Sequence, residues 1–260
     1  MSRSHLIKLI YRSALLVGAL VYYVVCLATK KAEYGAENDA LFLGFGDGVP
    51  VFLIIMTVVF VPEMIFRFFP NKHEAMGNQK IFKLNYIPNS KKVKPRKQHP
   101  LRTLLVIFSW VALNLVIGGL NHAGIIADDV MVIICLAYSV CDLICIMFFC
   151  PFQAWMMKNK CCATCRIYNW DYVMMFTPFF FLLFKPAPIL HYVMLGMALA
   201  VLIFWEISYL IHPERFTENT NQRLSCKDCT EKLCKHNKLF PSKAALSKLA
   251  EDKKAQTKID

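Results

Sequence analysis

The sequence predicts an all-α polytopic membrane protein with six transmembrane helices and both termini cytoplasmic, and three observations lead there. Hydrophobic residues make up 57% of the 260-residue chain, with 20 Phe and a mean hydropathy of +0.42, above the apolar share of about 45–50% usual for a soluble domain. Six apolar stretches, at about 5–28, 50–69, 102–121, 130–155, 168–184 and 188–211, approach the roughly 20 residues that cross a bilayer. With all six spanning and the N-terminus inside, 27 of the 30 Lys and Arg residues fall on the inner side, as the positive-inside rule requires.

The first stretch follows Arg3 and Lys8 and reads as a retained anchor rather than a cleaved leader, since no small-x-small cleavage pattern follows Cys26. Within it Ala14 and Gly18 have the spacing of a small-residue seat for a neighbouring helix. The outer segment 29–49 contains GFGDG, from Gly44 to Gly48. It precedes Pro50 and an apolar span instead of following a strand, so it reads as a turn and not a phosphate loop.

The second stretch carries Glu63, an acid expensive in hydrocarbon unless paired. Arg67, four residues later on the same helical face, is the expected partner. The inner segment from Arg67 to Arg102 holds ten basic residues against the single acid Glu74. Its KKVKPRK run, Lys91 to Lys97, is expected to lie extended at the membrane surface as a topogenic cluster that also attracts anionic lipid headgroups. The net charge of +12 is thereby accounted for without nucleic acid.

The fourth stretch bears Asp142 among Cys135, Cys141, Cys145 and Cys150. Cysteine is a frequent apolar filler of buried helices, whereas an intramembrane acid suggests a functional site. The fifth is the shortest and contains Pro178, which predicts a kinked or barely spanning helix. Asp171 and Glu206 lie at the inner ends of the fifth and sixth, so Glu63, Asp142, Asp171 and Glu206 form a set of intramembrane acids suited to a proton relay, a cation site or interhelical hydrogen bonds. Trp155, Trp170 and Trp205 read as an interface belt, and His191 as a packing or surface residue.

Two cysteine clusters flank the last pair of stretches. The stretch CPFQAWMMKNKCCATCRIYNWD, from Cys150 to Asp171, holds Cys161, Cys162 and Cys165; the tail holds Cys226, Cys229, Cys234 and His236 in SCKDCTEKLCKHN. The intervening hairpin returns the tail to the face it left, where a reducing cytosol favours metal binding over disulfides. Two CxxC pairs, Cys162 with Cys165 and Cys226 with Cys229, are suited to a tetrahedral four-thiolate site. Cys161, Cys234, His236 and Cys150 are alternative ligands. Zinc and an iron–sulfur cluster both suit thiolates; the surplus of thiols favours the cluster and the CxxC spacing favours zinc.

Cys150-Pro151-Phe152 at the end of a span loosely resembles the CPF segments of NapH-type membrane ferredoxin proteins, although Cys145 to Cys150 has a C-x4-CP spacing where those proteins have C-x3-CP. That resemblance implies electron transfer between quinol pools and cytoplasmic partners. The longer stretch from Cys150 to Phe176 resembles an uncharacterised family of small bacterial multi-pass membrane proteins, which implies the fold class and no activity.

The domain reading is a six-span region over 1–211, a cytosolic Cys-rich metal-binding tail over 212–241, and a short helix with a disordered end over 242–260. Two functions follow from it. One is a cell-membrane electron-transfer subunit whose cytosolic thiolate metal centre serves a redox partner subunit. The other is a non-enzymatic transporter or assembly scaffold whose tail is stapled by structural zinc. No hydrolase, kinase or nucleotide-binding motif is present.

Overall fold

The computed structural model describes residues 3–33, 51–71, 74–89, 94–95, 99–159, 161–183 and 189–225. Among them every regular element is helical, and the one β-like pairing is an antiparallel bridge between Pro88 and Asn221. The described residues form seven α-helices: α1 (Arg3–Glu33), α2 (Val51–Phe66), α3 (Met76–Gln79), α4 (Pro100–His122), α5 (Asp128–Met147), α6 (Asp171–Met175) and α7 (Ile189–Ile211).

Among the described residues, four helical segments are long and apolar enough to cross a membrane: His5–Val25, Pro100–His122, Asp128–Met147 and Ile189–Ile211. The second apolar stretch forms α2, a 16-residue helix with Pro62 inside it. The fifth stretch departs most from expectation. It is no continuous helix: α6 ends after Met175, and a 3₁₀ segment over Thr177–Leu182 continues with Pro178 in its first turn. Proline cannot donate the helical hydrogen bond at its own position, and the tighter 3₁₀ turn has a longer rise per residue. The fourth helix is also shorter than its apolar stretch, because α5 stops at Met147 and Pro151 opens a separate turn over Phe152–Met156.

The broken segment is the centre of the molecule rather than a peripheral span. Helix α1 packs on α5 and α2 on α7, while α6 lies against both α5 and α7 and the 3₁₀ segment against α4 and α5. Tyr172, Phe176, Phe179 and Leu182 are buried with Phe60 and Met64 of α2 and Met194 and Ala198 of α7. Phe176 meets Phe60 edge-on at 5.6 Å and stacks on Phe179 at 5.6 Å. His191 is fully buried edge-on to Phe179 at 6.0 Å, a packing position. In hydrocarbon such interlocking replaces the solvent-driven term that folds soluble domains.

Two smaller expectations are corrected. Ala14 and Gly18 are exposed on α1, and no atom of the described residues lies within 4 Å of where a Cβ on Gly18 would stand, so this pair seats no helix among them; Ala19 is the small residue buried there. Trp205 is no interface residue, being wholly buried, whereas Trp155 is exposed.

Candidate functional site

The stretch between Cys150 and Asp171 is wound into three short turns: Phe152–Met156, Cys162–Thr164 and Arg166–Asn169. Asn159 ties them together by donating to the Cys161 carbonyl at 3.1 Å and to Thr164 Oγ1 at 3.3 Å, while its own carbonyl accepts from Gln153 at 3.0 Å. Lys158 precedes it with a φ of 47°, a left-handed conformation that turns the chain back on itself at some cost in strain.

Beneath the cysteine turn lies a cation that the sequence hid. Lys80 had the look of one more charge in a basic segment, yet its side chain is fully buried. Its Nζ donates to the carbonyls of Ala163 at 2.7 Å and Cys165 at 3.0 Å. The rings of Trp205, Phe216 and Tyr168 surround it at 4.9, 5.3 and 6.0 Å, distances at which the ring quadrupole attracts an ammonium group. Gly77 lets this layer close, because a Cβ there would stand 2.5 Å from Tyr168 Cζ. The flanking apolar Ile81 and Phe82 were the available sign that this part of the segment folds inward.

The turn sorts its thiols to two sides. Cys161 is buried with Ala163 and Leu224, the latter two residues before Cys226 in the chain. Cys165 is buried in a different cluster, with Ile167, Tyr168 and Trp205, and burial pushes its thiol up to about 11. The side chain of Cys162 and all of Cys226, Cys229, Cys234 and His236 lie outside the described residues, as do the KKVKPRK lysines Lys91 and Lys92, the GFGDG segment and residues 242–260. Among the described residues no group of three or more His, Cys, Asp or Glu side chains is arranged to hold a metal ion. Cys161 and Cys165 alone therefore form no ligand set.

Each of the acids Glu63, Asp142, Asp171 and Glu206 meets an arginine, but the sequence misassigned one of the pairings. Glu63 accepts from Arg12 of α1 at 2.6 Å and from the Tyr172 hydroxyl at 2.9 Å. Arg67, its expected partner, instead donates to Asp171 at 2.8 Å and to the side-chain carbonyl of Asn169. Asp142 stands 3.9 Å from Arg12, which also donates to the Ser139 carbonyl at 3.2 Å. Glu206 accepts from Arg166 at 2.6 Å and from the Trp170 indole at 2.8 Å. The first three acids and two arginines form one linked patch around Tyr172, whose ring lies 5.2 Å from the Arg67 guanidinium. The Arg166 pair stands apart, against α7.

Cys165, Cys150, Cys145 and Cys141 share a cavity of about 390 Å³ with Asp142, Asp171, Trp110, Tyr138 and Phe152. This grouping was illegible in the sequence, because α5 supplies two of the thiols and the returning stretch the others. No protein-family model matches the chain, nor does any curated protein or solved structure.

Proposed function

We propose that the chain is a six-span membrane protein with both termini in the cytoplasm, carrying a thiolate metal centre that transfers electrons. The metal is held between the cysteine turn and the tail. One observation carries this reading: Leu224 packs directly on Cys161 and Ala163, so the chain arrives beside the turn only two residues before Cys226. The ligands are then Cys161 and Cys162 of the turn with Cys226 and Cys229 of the tail, while Cys165, buried on the far side, serves as the contact between the centre and the cavity. Asn159 and Lys80 hold the turn by its carbonyls, which fixes its backbone beside the arriving tail.

The six-span topology rests on the charge distribution. In it α2 spans at 16 residues and the broken 171–182 segment crosses within the protein, where neighbouring helices supply partners for its freed backbone groups. A cytoplasm-dependent reporter fused after Asp260 is expected to be active, and one inserted at Lys185 inactive; the reverse pattern refutes the topology.

Anaerobic purification with metal analysis tests the centre. An iron–sulfur cluster shows broad visible absorption that bleaches on reduction, and Cys161→Ser or Cys226→Ser removes it while Cys165→Ser retains it. The rigidity of the preformed turn favours a second reading, a structural zinc that staples the tail. Colourless protein with bound zinc and no iron selects that scaffold over electron transfer, because zinc has no redox chemistry.

A further inference from the structure

The cavity behind the turn has the attributes of a binding site in its own right. Its walls are apolar and aromatic: the Trp110 ring lies 4.7 Å from Tyr138 and 5.9 Å from Phe152. At about 390 Å³ it falls in the range of pockets that take drug-sized ligands. A second, more open space of about 760 Å³ runs along α4 between Leu104, Ile107 and Val111, and Trp110 and Met174 line both. Leu104, Ile107 and Val111 are exposed on a helix apolar enough to span, so this outer space opens toward lipid. A molecule fitting the pair has a flat ring and an apolar tail.

Two polar features of the inner cavity specify the ring. Asp171 is 8% exposed, and while its Oδ2 is bound by Arg67, its Oδ1 is buried with no hydrogen-bond partner among the described residues. An orphaned carboxylate oxygen of this kind calls for a donor from the ligand, since leaving it unpaired is costly. On the neighbouring wall Cys145, in the last turn of α5, and Cys150, just past its end, both line the cavity as free thiols, and Cys150 Sγ accepts from the Gln153 backbone N–H at 3.4 Å. A ring hydroxyl answers the first feature, and a two-electron acceptor answers the second.

We infer that this cavity binds a lipid-soluble quinone, with the Cys145–Cys150 thiol pair as its redox partner and Asp171 Oδ1 as acceptor for a hydroxyl of the quinol formed. In the reaction both S–H bonds break and one S–S bond forms. The two electrons and two protons released reduce the two quinone carbonyls to hydroxyls. Quinone is the oxidant and the dithiol the reductant, so the step balances without another reagent. The tail of the quinone occupies the outer space along α4. The inference stands on the cavity and the thiol pair and does not require the metal centre.

The test uses full-length protein, reduced, freed of excess reductant without oxygen, and mixed with decylubiquinone. Quinol formation is followed by absorbance, and the cysteine pairing by mass spectrometry of peptides. The expected result is about one quinol per chain, a new disulfide joining Cys145 to Cys150, and loss of both in Cys145→Ser and in Cys150→Ser. Cys135→Ser, altered in a buried thiol that does not line the cavity, reacts as the unaltered protein does. A Cys226→Ser/Cys229→Ser protein also still reacts, which separates this site from the proposed metal centre. Should a serine variant fail to fold, the peptide map of the unaltered protein decides alone. Absence of quinol, a disulfide between other cysteines, or quinol formation that persists in both serine variants overturns the inference.

Discussion

Lys80 Nζ donates to the Cys165 carbonyl at 3.0 Å from a position with no solvent exposure. A buried cation is costly unless it is partnered, and here two carbonyls and three aromatic rings stabilise it. Replacing Lys80 by Met keeps the volume but leaves both carbonyls without that donor, and hydrogen bonds to a charged group contribute about 1.5–3 kcal/mol each. Removing the ammonium also relieves its own burial cost, so a net loss of about 1–3 kcal/mol is expected. Thermal unfolding in detergent measures the loss, and faster proteolysis between Met157 and Arg166 locates it.

The Arg12–Glu63 pair joins α1 to α2 inside the apolar layer. Removing one partner of a buried pair costs about 3–5 kcal/mol because the other charge is stranded, whereas replacing both by apolar residues is far milder. Arg12→Leu is therefore expected to be less stable than Arg12→Leu/Glu63→Leu. A double variant that loses as much as both single variants combined would show that the pair is not coupled.

Gly77 admits the Tyr168 ring so closely that a methyl group there would displace it. Gly77→Ala is expected to destabilise by about 1–3 kcal/mol, as overpacking usually does. Shrinking the ring with Tyr168→Leu should recover part of that loss, and the comparison of unfolding midpoints for the single and double variants reports it.

Glu74 connects the inner segment to α1 through Lys8 at 3.0 Å. Burial pushes its carboxyl up, but Lys8, Arg67 and the bond from Asn78 outweigh this and hold it below the ordinary value of 4.5. A depressed native pKa contributes stability that is fully present above the unfolded value and is lost as pH falls through the native one. The unfolding midpoint should therefore decline less between pH 6 and pH 3 in Glu74→Gln than in the unaltered protein, by the equivalent of about 1 kcal/mol or less.

Much of the helical layout was legible because crossing hydrocarbon demands long apolar runs, and those runs mark α1, α4, α5 and α7 before any packing is known. The sequence by itself also placed Glu63, Asp142, Asp171 and Glu206 in or at the ends of apolar stretches. It could not choose their partners. Arg67 is four residues from Glu63 and on its face, yet it binds Asp171, while Glu63 is taken by Arg12 of α1. Only the tertiary structure decided that Lys80 is caged, that the 168–184 stretch, whose kink Pro178 announced, lies in the core, and that Cys161 and Cys165 face different clusters. The physical reason is common to all three. Hydropathy records what one residue costs in water or lipid, whereas burial of a charge or a broken helix depends on partners contributed by segments far away in the chain.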